Sequence, residues 1–214
     1  MKGKEILSNE DLTKCVEFHG HMCPGLAIGF QAARTLMERL GVRRARDEEL
    51  LAIVETDACG ADAIQVITGC TFGKGNFIFK NYGKHAFSLM DRSKSKGVRV
   101  SLRPDAFKMD SISLSLLERV QKGEASTEEL AQFRQLQKER TQRILEADAE
   151  SIFKIEAIPQ KIPPKARIME AAICDFCGEP TKEDLLCNIN GKRACIPCAQ
   201  KNGPAGGLVP SPRP

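Results

Sequence analysis

The chain has no tryptophan, one tyrosine and three histidines among 214 residues, and aromatics make up only 5% of it. Little is therefore available for stacking on bases, and 32 Lys/Arg against 28 Asp/Glu, interspersed, leave a net charge of only +4. A nucleic-acid-binding face is not expected from so even a balance. No window approaches the ~18 uninterrupted apolar residues of a spanning helix, so no membrane association is expected. The opening MKGKEILSNEDL has no apolar leader-type core, which points to a cytoplasmic protein. What is present is 42% apolar residues, enough for a core, and nine cysteines.

Without a secretory leader, nine cysteines argue for metal or thiol chemistry in a reducing compartment rather than disulfides. They fall into two groups. Cys15, Cys23, Cys59 and Cys70 lie in the first third, and Cys174, Cys177, Cys187, Cys195 and Cys198 lie near the end.

Periodicity predicts a short helix over 9–18, a longer one from Pro24 to Leu40 stopped by Gly41, and a strand over 50–55 that leads through ETDACGAD into a helix over 61–68. Short strands follow over 76–80, 84–90 and 97–102, then helices over 113–121 and 127–147. The second of these opens with the capping-box pair Ser126 and Glu129. A last strand is expected over 151–158. This order favours an α+β layer over a doubly wound sheet. The prolines of IPQKIPPK suggest a semi-rigid connector. The expected organisation is an α+β domain over 1–158, a linker over 159–171, a zinc finger over 172–203 and a mobile tail over 204–214.

Cys174-x2-Cys177 and Cys195-x2-Cys198, seventeen residues apart, have the spacing of a four-thiolate zinc site. Asn190-Gly191 between the pairs is a preferred hairpin turn. Four thiolates leave no open coordination position, so a structural role is expected, with zinc standing in for a core that so short a segment cannot supply. Cys187 reads as a spare, packed thiol.

The chemistry is expected elsewhere. In His19-Gly-His21-Met-Cys23-Pro24, proline can start a helix with Cys23 at its N-terminus, where backbone N–H groups favour a thiolate. ETDACGAD repeats the device with Cys59. An imidazole with one or two thiolates suits zinc or another late transition metal and leaves room for water or substrate, with Asp57, Glu55 or the second histidine as acid or base. The loop GCTFGKG lacks the Walker spacing and follows a helix, so nucleotide hydrolysis is not expected. Lys74, Lys84 or His85 could still meet an acidic group of a ligand or cofactor.

HGHMCPGLAIGFQAA, ETDACGADAIQVITGCTFGKGNFIF and GKHAF together resemble the family of the E subunit of formylmethanofuran dehydrogenase, FmdE. The proline linker and cysteine pairs resemble its two-domain members. The resemblance implies a thioredoxin-like α+β core, a mixed sheet flanked by helices, followed by a treble-clef zinc finger. It also implies a metal cleft whose positions fall here on His19, His21, Cys23, Asp57, Cys59 and Cys70. Of these, His19, Cys59 and Cys70 are expected as ligands, with His19 and Cys59 foremost, and Cys59, Asp57, His21 and Cys23 are expected in the chemistry. The partners implied are molybdenum or tungsten dehydrogenase subunits, and a homodimer would cover exposed sheet edges. Two functions compete: a metal-dependent or redox accessory subunit, and a non-catalytic metal or molybdenum-cofactor chaperone docking through its finger.

Overall fold

The computed structural model describes residues 10–158, 162–165 and 170–203. The chain separates into two compact units, Met1–Lys165 and Ala166–Pro214. The expected tail, 204–214, lies outside the described residues, as does part of the expected linker.

The first unit is α+β. Helices α1 (Glu10–His19) and α2 (Pro24–Leu40) precede β1 (Leu50–Val54) and α3 (Gly60–Thr68). Strands β2 (Phe77–Phe79), β3 (Ala86–Asp91) and β4 (Lys96–Leu102) come next, then α4 (Ser111–Lys122), α5 (Thr127–Glu146), the single turn α6 (Ala149–Ile152) and β5 (Phe153–Ile158). The sheet order is β2-β1-β3-β4-β5. Only β1 and β2 run parallel, and the antiparallel register places Val54 opposite Phe87, Ala86 opposite Ser101 and Leu102 opposite Phe153. The end of β1, the start of β3 and the end of β4 therefore share one edge of the layer.

Helix α2 is buried along most of its length, and it packs with α1, α3, Phe87 and Leu89 into the main core. Buried Gln31 donates from Nε2 to the carbonyls of Ile144, Leu145 and Ala147, satisfying carbonyls that the last turn of α5 leaves without a helical partner. The expected capping box of α5 is present, Ser126 and Glu129 each bonding the other's backbone N–H. On the opposite sheet face Leu51, Ile53 and Met90 pack with Ile78, Ile158 and Ile162. Arg92 donates to the carbonyl of Pro163, which ties 162–165, within the expected semi-rigid connector, to the first unit.

The second unit has strands β6 (Ala171–Ile173), β7 (Pro180–Lys182), β8 (Cys187–Ile189) and β9 (Lys192–Ala194), then helix α7 (Ile196–Asn202). β8 and β9 form the expected hairpin, with Asn190 and Gly191 at φ 52° and 84°. Both central residues of such a turn need φ above zero, which Asn and Gly tolerate.

Candidate metal centres

Helix α1 ends at His19, and Gly20 turns the chain at φ 92° while its N–H bonds the Val16 carbonyl at 2.7 Å. A side chain at that φ would be strained. The turn delivers Cys23 to the start of α2 in extended conformation, where its sulfur accepts the Leu26 N–H at 3.3 Å. His19 Nε2 then lies 3.9 Å from Cys23 Sγ. The His19 and His21 rings stand 4.6 Å apart, and the ligand atoms of His19, His21 and Cys23 lie within 4.8 Å of one another.

The other ring nitrogen of His19 is held. Asp62, in the first turn of α3, meets Nδ1 at 2.7 Å. A carboxylate behind an imidazole sets its tautomer and directs the free Nε2 lone pair outward, the usual second support of a metal-bound histidine. Sequence reading passed over Asp62, although a position three residues beyond Cys59 on a helix lies on the same face.

Cys59 caps α3 with helical dihedrals and makes no side-chain cap bond. A Cβ at Gly25 would meet Cys59 Sγ at 3.5 Å and Cys23 Sγ at 3.8 Å, so the two sulfurs flank one glycine. Burial pushes the Cys59 thiol up, and the neighbouring Cys23 sulfur adds to this. The contact depends on two further glycines: a Cβ at Gly29 would lie 2.3 Å from the Gly60 carbonyl oxygen. Helices α2 and α3 cross backbone to backbone there, which brings the two cysteine caps side by side.

Other expected site residues fall elsewhere. Cys70 is fully buried past the far end of α3, which at nine residues separates it from Cys59 by about 14 Å. Burial raises its thiol pKa, and its sulfur is not among the clustered ligand atoms of His19, His21 and Cys23. Lys74 donates to the Gly69 carbonyl, capping the C-terminus of α3 with positive charge, rather than facing a ligand. Asp57 stands exposed in the 55–59 loop, outside the cluster. Glu55 is buried and engaged by Arg99, Nε to Oε1 at 2.7 Å and Nη2 to Oε2 at 3.0 Å, which holds its carboxyl below the usual range. It is a structural ion pair, not an acid or base for the cleft. His85 is half-buried just before β3, and burial, with the Arg140 charge adding, lowers its pKa. Cys15 is a core thiol pushed up to about 12 by burial, with the Asp11 charge adding.

In the second unit the ligand atoms of Cys174, Cys177, Cys195 and Cys198 lie within 4.8 Å of one another. Cys177 and Cys195 sulfurs are 3.7 Å apart, against about 3.8 Å for the edge of a tetrahedron with Zn–S bonds of about 2.3 Å. The Cys195 N–H donates to Cys174 Sγ at 3.2 Å and draws that thiol down to about 6. Gly178, at φ 75°, lets the knuckle turn. Cys187 sits on β8, outside the group. The donor set fits one metal ion such as zinc.

A cavity of about 430 Å³ between α2 and the end of α5 shares no residue with either cluster. Among the described residues, no helix is long and apolar enough to cross a membrane.

Residues 18–154 match the family described as "FmdE, Molybdenum formylmethanofuran dehydrogenase operon". A protein of Archaeoglobus fulgidus named "Probable S-adenosyl-L-methionine-binding protein" is 34% identical over 175 residues, covering 78% of this chain and 48% of that protein. The chain thus spans about half the length of that relative. A solved structure from Syntrophus aciditrophicus, of a protein like the FmdE component of tungsten formylmethanofuran dehydrogenase, superposes with a TM-score of 0.61 at 25% identity, covering 94% of this chain and 97% of that one.

Proposed function

Because the chain belongs to the FmdE family, we propose that it is a metal-holding accessory subunit of a molybdenum or tungsten dehydrogenase system of the formylmethanofuran or formate type, with an open His/Cys centre in its first unit and a structural zinc in its second. The observation that carries this reading is the buttressed triad: Asp62 fixes His19, whose free nitrogen faces Cys23 beside His21. Two imidazoles and a thiolate suit zinc or another late transition metal, with Cys59 the nearest further sulfur. When bound, such an ion supplies Lewis acidity at its open position.

The chain's own groups do the rest. Asp62 keeps the proton on His19 Nδ1, Cys23 is oriented by the Leu26 N–H, and exposed His21 provides the solvent side where a ligand enters and a proton can be exchanged. The finer fold assignments go with this reading: a thioredoxin-like core, for which the cysteine-started helices speak, and a treble-clef finger, for which the order knuckle, hairpin, helix speaks.

Elemental analysis of anaerobically purified full-length protein tests it. Two metal equivalents per chain are expected, falling to one in both His19→Ala and Cys23→Ser. A single equivalent, unchanged by either substitution, overturns the open centre.

A second reading is a non-catalytic metal or molybdenum-cofactor chaperone that docks through its finger. It is favoured by the apolar surface there, with Ile173 and Phe176 exposed and Lys192 5.9 Å from the Phe176 ring. This reading requires a dehydrogenase partner to co-purify and to be lost when residues 174–198 are removed. S-adenosyl-L-methionine enters as a cleft ligand only through the name of the Archaeoglobus fulgidus relative, and equilibrium dialysis with that compound decides it.

A further inference from the structure

The cavity between α2 and the end of α5, about 430 Å³, falls within the ~300–1,000 Å³ of small-molecule sites. Gln31, Arg34, Thr35 and Glu38 line it from α2, and their spacing of i, i+3, i+4 and i+7 makes a single stripe along that helix. Glu146 and Asp148, where the chain leaves α5, stand on the facing wall.

The two buried polar side chains of the stripe have spent their donors. Gln31 is 8% exposed, and its amide nitrogen is committed to the carbonyls of Ile144, Leu145 and Ala147 at 3.1, 2.8 and 3.4 Å. A planar amide whose nitrogen is pinned on α5 turns its oxygen away from those carbonyls. Gln31 Oε1 has no partner among the described residues and is not sealed from solvent. Thr35, 5% exposed, gives its hydroxyl hydrogen to the Gln31 carbonyl at 2.7 Å, so only its oxygen lone pairs remain. The floor of the cavity therefore accepts hydrogen bonds and offers none.

The surrounding charge has the same preference. The C-terminal end of α5 is the negative pole of a helix of 20 residues. Glu38, Glu146 and Asp148 bring three carboxylates to the lining, and Asp148 makes no side-chain cap bond. Arg34 is the sole cation on the lining. Its guanidinium lies over the Phe30 ring, 5.6 Å from the centroid, one turn towards the start of α2 and away from Glu38, and it pairs with no carboxylate among the described residues.

Acceptors and carboxylates call for a ligand rich in N–H donors and positive charge. A metal ion or a simple amine would leave Arg34 unanswered, whereas a ligand that also bears one carboxylate satisfies both ends. We propose that this cavity binds an amino acid with a cationic side chain, its carboxylate on Arg34 and its ammonium groups on Gln31 Oε1 and the carboxylates of Glu38 and Asp148. The site shares no residue with either cysteine cluster and stands independently of the function proposed above.

Isothermal titration calorimetry of the full-length protein with L-lysine tests it. One saturable site per chain is expected. Cadaverine, which is lysine without its carboxylate, and L-norleucine, which lacks the side-chain ammonium, should each bind about tenfold more weakly, the worth of one charge-assisted hydrogen bond. Arg34→Met should weaken lysine about tenfold and leave cadaverine unchanged. Glu38→Gln combined with Asp148→Asn should weaken both, and since these two residues are exposed the urea midpoint should hold. No saturable heat with L-lysine or L-arginine overturns the site. Cadaverine binding as tightly as lysine, or an Arg34→Met variant with unchanged lysine affinity, overturns the carboxylate contact and with it the amino-acid class. Norleucine binding as tightly as lysine overturns the cationic side chain.

Discussion

Gly29 of α2 and Gly60 of α3 meet backbone against backbone, a Cβ on Gly29 falling 2.4 Å from the Gly60 Cα. The contact sets where Cys23 and Cys59 stand, because each cysteine caps the helix that its neighbouring glycines hold close. Gly29 is helical, so elsewhere alanine would improve the helix by about 1 kcal/mol. Here Gly29→Ala is predicted to destabilise the first unit by about 3 kcal/mol, since overpacking against backbone leaves no side chain to yield. Urea unfolding reads this directly, and an unchanged or raised midpoint would falsify the close crossing.

Asp62→Asn tests the support behind His19. The amide keeps the size of the carboxylate but loses its charge and its fixed acceptor role toward Nδ1. Affinity of the first-unit centre for zinc should fall about 10- to 100-fold while the fold is kept. Competition with a chelator of known affinity measures it, and Asp62→Glu should recover part of the loss if orientation is the cause.

Cys70 and Cys59 should separate cleanly. Cys70→Ala removes a buried sulfur from the core and is predicted to cost about 1–2 kcal/mol with metal content unchanged. A lost metal equivalent in this variant would return Cys70 to the ligand set.

The Glu55–Arg99 pair makes stability pH-dependent. The folded-state pKa of Glu55 is lowered, first by the Arg99 hydrogen bonds. Its stabilisation is therefore fully present above the unfolded carboxyl pKa of about 4.3 and is lost as pH falls through the lower folded value. Arg99→Met, which strands a buried carboxylate, should cost about 3 kcal/mol at pH 7, and the cost should shrink steadily as pH falls below the unfolded carboxyl pKa. A urea midpoint shift that stays the same at every pH from 7 down through the acid range would rule the pair out as the source.

Local signals served well where the interaction is local. Pro24 starts α2 and Gly41 ends it with left-handed backbone, Ser126 and Glu129 cap α5, and Asn190-Gly191 closes a hairpin, because each device acts within a few residues of chain. The two cysteine pairs are of the same kind, since a knuckle needs only short spacing to aim two sulfurs at one point. Assignments that depend on a face fare worse. Cys70, two residues beyond α3, is close to Cys59 along the chain, yet a helix of nine residues carries it to the opposite end. Glu55 adjoins the cleft in sequence, but β1 alternation turns it to the other sheet face, toward Arg99.

The amino-acid order alone pointed to the α+β class, to most elements of the first unit and to the grouping of Cys174, Cys177, Cys195 and Cys198, all consequences of short-range geometry. Tertiary structure decided the partners that lie far along the chain: Asp62 behind His19, Gly60 against Gly29, Arg99 on Glu55. These meet because helices and strands pack by burying apolar faces, and which polar groups that burial brings together is not encoded in any local pattern.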